Sequence, residues 1–126
     1  MKKNESEINA KEIVISFQES LNIRDLKSAR SYVSDDFLCT NPLGSYDGAE
    51  AYFKAVEKAE QAHQTPFKFD IKKIFTDGND VCVFNDVIAG SITLLACEWY
   101  RVEDQKIRSL KLVYDPRPLI QRNDKY

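Results

Sequence analysis

The residue in this sequence with the clearest setting for chemistry is a carboxylate among apolar neighbours. Ile92, Leu94, Ala96, Glu98, Tyr100 and Val102 alternate with Thr93, Leu95, Cys97, Trp99 and Arg101, and the first set is the more apolar side of a strand. In that register Glu98 faces inward. Burial beside aromatic and aliphatic groups then raises its pKa, unless a cation such as Arg101 or Arg108 pairs with it. A register shift of one residue turns Trp99 and Arg101 inward instead. Glu98 therefore has three readings at this level: a proton-handling group, a paired structural acid, or an outward-facing side chain.

Other reactive side chains are sparse. His63 is the single histidine, and no Cys, His or paired carboxylate lies at ligand spacing from it. Its expected place is the solvated rim, at the end of a helix beside Gln61 and Gln64, with acid-base work at a cavity mouth as the alternative. Cys39, Cys82 and Cys97 are odd in number and each sits in an apolar run, which predicts free core thiols. No metal site and no cofactor are expected. The chain has no Gly-rich phosphate loop, no Gly-x-Ser-x-Gly elbow and no His-Glu-x-x-His, which removes most nucleotide-dependent and nucleophilic classes.

The elements that must position these groups follow from periodicity. Asn9 with Glu12 predicts the cap of a first helix whose inner face is Ile13, Val14, Phe17 and Leu21 and which stops near Asn22. Asp25 predicts the cap of a second helix, with Leu26, Ala29, Tyr32 and Val33 inward, ending before Ser34-Asp35-Asp36. A short strand spans Phe37 to Asn41, and 42–46 is expected to be irregular. Asp47 with Glu50 predicts the opening of a third helix that turns Tyr52, Phe53, Val56 and Ala59 inward. From Phe67 the period becomes two. Strands follow over 67–72, 81–88, 92–102 and 107–114, joined at Asp77-Gly78, Ala89-Gly90-Ser91 and Glu103-Asp104-Gln105. Helices first and hairpin-linked strands afterward predict an α+β domain with an antiparallel sheet covered on one face.

At 126 residues, 43% hydrophobic and with no linker or low-complexity stretch, the chain is expected to form one domain over 1–126. A net charge of -2 with dispersed Lys and Arg gives no reason to expect nucleic acid or anionic membrane as a partner. No uninterrupted apolar run reads as a signal or spanning segment, so a cytoplasmic location is the expectation.

Ser34-Asp35-Asp36-Phe37, then Asn41-Pro42-Leu43-Gly44, then Asp47-Gly48 opening an aromatic-bearing helix, resembles the start of SnoaL-like and ketosteroid-isomerase-like proteins of the nuclear transport factor two-like superfamily. The stretch from Trp99 to Ile107, with Tyr114-Asp115-Pro116, is similar to the closing hairpin of the same family. The resemblance covers nearly the whole chain. It implies a cone: a strongly curved antiparallel sheet wrapped by three N-terminal helices, enclosing an apolar cavity and often pairing as a homodimer through its outer face. Fold alone does not set activity, since the superfamily holds isomerases, cyclases, dehydratases, epoxide hydrolases and non-catalytic domains.

Carried over residue by residue, the resemblance puts Asn41 where ketosteroid isomerases place a general-base Asp, and Phe17 where they place an oxyanion-stabilising Tyr. An amide cannot accept that proton and a phenyl ring has no O–H to donate. The third isomerase group, a carboxylic acid, aligns with Glu98. The Arg and two Asp positions of the epoxide hydrolases fall on Asn85, Val87 and Leu112, none of which moves a proton.

What the resemblance leaves is a mostly apolar pocket. Its expected lining is Phe17, Phe37, Tyr52, Phe53, Val83 and Leu112, with polar groups at Asn41, Asn85, Glu98, Tyr100 and Tyr114. Asn41 has an equally good reading as the cap of the turn before Pro42. Such a pocket suits a small, largely apolar ligand, acted on by proton transfer from Glu98 if it is acted on at all. The competing reading is a non-catalytic dimeric interaction domain whose useful surface is the outer sheet face at Leu95, Trp99 and Val113.

Overall fold

The computed structural model describes the backbone of residues 2–63 and 67–119, and side chains over 10–62 and 67–119. The first helix, α1 (Lys2–Asn22), begins seven residues before the expected Asn9 cap. Nothing from Lys2 to Asn9 breaks a helix, so the chain extends it at little cost. From there Ala10, Val14, Phe17 and Leu21 form the buried stripe that packs the helix over the sheet.

Arg24, at φ 65°, reverses the chain into α2 (Leu26–Ser31), where Asp25 accepts from the Ser28 backbone N–H at 3.1 Å and from its hydroxyl at 2.8 Å. The helix is shorter than its apolar spacing suggested. Tyr32 is its C-cap, and its carbonyl accepts from the Ile107 N–H at 2.8 Å, so Val33 enters a strand instead of a helical turn.

That strand, β1 (Val33–Asn41), therefore starts four residues before the expected Phe37. Ser34-Asp35-Asp36 does not end a helix. It forms a register irregularity between Val33 and Leu38, whose acids pair outward with Arg30 and Arg108. Residues 42–46 also differ from expectation. After a turn in which Asn41 Oδ1 accepts from the Leu43 N–H at 2.8 Å, the strand β2 (Gly44–Asp47) folds back on β1. Pro42 sits in the turn itself, where its missing N–H costs nothing. Gly48, at φ 103°, leads into α3 (Ala49–His63), and Asp47 makes no capping bond to it among the described residues. His63 closes α3, and its side chain lies outside the described residues.

The remaining strands are β3 (Lys68–Asp77), β4 (Asp80–Ala89), β5 (Ile92–Glu103) and β6 (Lys106–Val113), all joined by two-residue hairpins. Gly78 and Gly90 supply positive φ at the first two turns, whereas at the third Asp104 and Gln105 take it themselves at 52° and 61°. The strand order is β2-β1-β6-β5-β4-β3, a single curled and unclosed sheet. It is not wholly antiparallel as expected, because β1 lies parallel to β6. Irregularities at Ile71/Lys73 and Arg101/Val102 add to the twist that bends it around α1 and α3.

One helix-to-sheet contact has no counterpart in the hydrophobic pattern. The Asn22 amide pairs with both backbone groups of Phe69, donating to its carbonyl at 2.9 Å and accepting from its N–H at 2.8 Å. Asn22 thus acts as a strand partner for the outer edge of β3, and a side-chain hydrogen bond of this kind contributes about 1 kcal/mol.

Candidate functional site

The register of β5 against its neighbours settles which way Glu98 points. It stands opposite Val83 of β4 and Leu112 of β6 and is 1% exposed, whereas Trp99 is 47% exposed on the other face. Neither candidate cation reaches it. Arg101 pairs with Asp80 and Glu103, and Arg108 with Asp36, Glu103 and Asp104.

Three neutral donors from three elements take their place. Gln18 of α1 donates its Nε2 to Glu98 Oε1 at 2.7 Å, Tyr100 of β5 donates its hydroxyl to the same oxygen at 2.5 Å, and Asn85 of β4 donates its Nδ2 to Oε2 at 2.8 Å. Gln18 also donates to the Tyr100 oxygen at 2.7 Å and accepts from Asn85 at 3.1 Å. All four side chains are buried. Desolvation pushes the Glu98 carboxyl above its ordinary value, and the bonds from Tyr100, Asn85 and Gln18 pull the other way without overcoming it. Burial likewise raises the Tyr100 phenol, with the Glu98 charge adding to it.

Asn85 Oδ1 is buried without a partner.

Beside this network lies a cavity of about 170 Å³. From α3 it is lined by Tyr52, Ala55, Val56, Ala59 and Glu60, from the α1–α2 turn by Leu21 and Arg24, and from the sheet by Cys39, Phe69, Val87, Leu94, Ala96 and Leu112 among others. Ala55, Ala59 and Ala96 in this lining leave space that larger side chains would fill. Asn41, Tyr46, Phe67 and Tyr114, each partly exposed, are also in the lining.

Of the residues expected at the pocket, Asn41, Tyr52, Leu112 and Tyr114 are in the lining. Phe17, Phe37 and Val83 are buried in the core around it, and Phe53 packs on the core from outside. Asn85, Glu98 and Tyr100 lie outside the lining, in the sealed network. Asn41 has the turn-capping bond of its alternative reading.

The pair Arg24 and Glu60, joined by a salt bridge, was not anticipated. Arg24 falls in a turn that the helical period does not reach. Glu60, however, sits four residues beyond Val56 on the face already read as inward, a usable signal. The three cysteines are free, as expected, but their burial departs from expectation. Only Cys39 is buried, with its thiol pushed up to about 12 by desolvation and then by Glu98. Cys82 and Cys97 lie on the outer sheet face with sulfurs 3.6 Å apart, because Cys82 pairs with Trp99 and Cys97 with Phe84, which makes the two thiols diagonal neighbours. Among the described residues, no group of three His, Cys, Asp or Glu could hold a metal, and no helix is long and apolar enough to cross a membrane.

A family model for the SnoaL-like domain matches residues 14–110. An NTF2-like protein of unknown function from Cytophaga hutchinsonii ATCC 33406 is 32% identical with a TM-score of 0.80, over 88% of this chain and 94% of that one. A SnoaL-like protein of unknown function from Burkholderia thailandensis E264 is 17% identical with a TM-score of 0.73, over 86% and 95%. TerC, co-crystallized with polyporic acid, is 14% identical with a TM-score of 0.80, over 90% and 96%. No curated protein matches. The chain belongs to the SnoaL-like family, with the NTF2-like fold.

The charge state of Glu98 has a measurable consequence. Because its folded pKa is raised above 4.5, the folded chain binds more protons than the unfolded one across that window. The stability contribution of Glu98 is therefore full in acid and declines as pH rises through its folded pKa. Glu98→Gln removes the titration, so thermal unfolding from about pH 4 to about pH 8 should show the variant gaining on the wild type as pH rises. A difference that stays flat, or moves the other way, contradicts the raised value.

Proposed function

We propose that this protein binds a small, largely apolar molecule of about one ring in its cavity, without chemistry at Glu98. The observation that carries the reading is the cavity itself: about 170 Å³, walled mainly by aliphatic and aromatic side chains. That is below the roughly 300 to 1,000 Å³ of pockets for drug-sized ligands. It is close to the roughly 150 Å³ apolar cavity known to stay dry and take up benzene in another protein. TerC, which shares the fold, offers a precedent in its co-crystallization with polyporic acid.

Proton transfer finds less support. Glu98 is outside the lining, its oxygens occupied by Gln18, Tyr100 and Asn85, and Glu60 in the lining is held by Arg24. The Asn41 and Phe17 substitutions also remove two groups of the isomerase arrangement. Toluene, titrated into the protein and followed by amide NMR shifts and thermal unfolding, should bind and raise the midpoint. Ala59→Phe fills the space and should abolish binding while the fold holds. Absence of toluene binding, or binding that Ala59→Phe leaves intact, overturns this reading.

The outer sheet face supports a second proposal, a homodimer. Leu95, Trp99 and Val113 are 62%, 47% and 66% exposed on adjacent strands, and Phe75 and Leu38 extend the same face toward the two edges. An apolar stripe of this extent is costly to leave in water. Sedimentation should give a dimer that Leu95→Asp converts to monomer. A wild-type monomer at all concentrations rejects the proposal.

A further inference from the structure

Cavity recognition rests on which polar groups meet the ligand. Arg24 and Glu60 stand in an otherwise mainly apolar wall, facing in from the α1–α2 turn and from α3. The guanidinium is held in place: Nη1 donates to the Leu21 carbonyl at 3.2 Å and Nη2 to Glu60 Oε1, and its backbone is fixed at φ 65°. The side chains are 32% and 12% exposed, so water screens the pair only in part.

The pair keeps spare capacity of both kinds. A guanidinium has five N–H donors, and two contacts account for only part of them. Glu60 Oε1 is engaged, while Oε2 has no partner among the described residues. We propose that the Arg24–Glu60 pair is the specificity element of the cavity, selecting an uncharged single-ring ligand that carries a hydrogen-bond donor and acceptor side by side, as a primary carboxamide does.

The acceptor of such a ligand takes a spare Arg24 N–H and its donor meets Glu60 Oε2, so every group is satisfied while the pair stays intact. A carboxylate ligand meets Arg24 but must sit beside Glu60, and a cation meets Glu60 beside Arg24. Each brings a third charge into a site already neutral, which low-dielectric surroundings penalise. Asn41, Tyr46 and Tyr114 are neutral hydrogen-bonding groups in the same lining and favour neither sign of charge.

This inference rests on the cavity being a ligand site, and the test separates the two. Toluene, benzamide, benzoate and benzamidinium share a ring and differ in their polar end. Each is titrated into the full chain at neutral pH with amide NMR as readout. Benzamide should bind about tenfold or more tightly than either charged probe, the scale of discrimination that like-charge juxtaposition supplies. Glu60→Gln keeps an acceptor for Arg24 and should shift preference toward benzoate by about tenfold. Arg24→Gln should shift it toward benzamidinium, and serves if the first variant does not fold. Toluene binding with equal affinity for benzamide and benzoate, or preferences that neither variant moves, overturns the inference while the cavity reading stands. If toluene does not bind, the cavity reading fails and takes this one with it.

Discussion

A carboxylate taken out of water must be compensated where it lies, and in this fold the compensation for Glu98 comes from three separate elements. Gln18 brings the first helix, Asn85 the fourth strand and Tyr100 the fifth into one hydrogen-bonded knot. The apolar stripe of α1 drives the helix onto the sheet, but greasy contact alone tolerates sliding and rotation. The donors that must meet Glu98 do not, because a displaced donor leaves a buried polar group unpaired at a cost of about 1 to 3 kcal/mol. Phe17 and Leu21, on either side of Gln18 along the helix, are placed by the same constraint.

The cavity can be understood as the remainder of that packing. With α1 fixed over β3 and β4, and α3 set over β1 and β2, the space between the helices is filled only where large side chains reach it. Phe17 meets Tyr100 edge-on and lies tilted against Tyr52, which Phe37 in turn meets edge-on. Elsewhere in the lining the small residues Ala55, Ala59 and Ala96 leave space. Structural acid and cavity are thus neighbours. The one keeps the wall in place, and the other is what the wall encloses.

Much of this was legible from residue order. Alternation favoured Glu98 and Tyr100 inward and Trp99 outward, but it left a one-residue slip open, which only the pairing of β5 with β4 and β6 decides. The helix faces read correctly wherever apolar residues carried them, as at Val14, Phe17, Tyr52 and Val56. Features held by the backbone or by distant polar pairs were not legible. Val33 looks like a helical residue until Ile107 claims the carbonyl beside it, β2 is a strand only because β1 lies next to it, and the parallel pairing of β1 with β6 has no local signature. The three donors around Glu98 come from positions up to 82 residues apart, and no spacing rule joins them. Expected lining residues such as Phe37 and Val83 failed to reach the cavity for a simpler reason: inward-facing is a property of a strand, whereas lining depends on what the opposite helix leaves unfilled.

The central claim is that Glu98 is a sealed acid, held by neutral donors without a cationic partner, that fastens the fold and does not touch the ligand. The direct measurement is a pH titration of its side-chain carboxyl carbon by 13C NMR, with and without toluene. The account predicts a midpoint above the ordinary 4.5, moved by less than about one unit when the cavity is occupied. A midpoint at or below the ordinary value, or a larger displacement by the ligand, would contradict it.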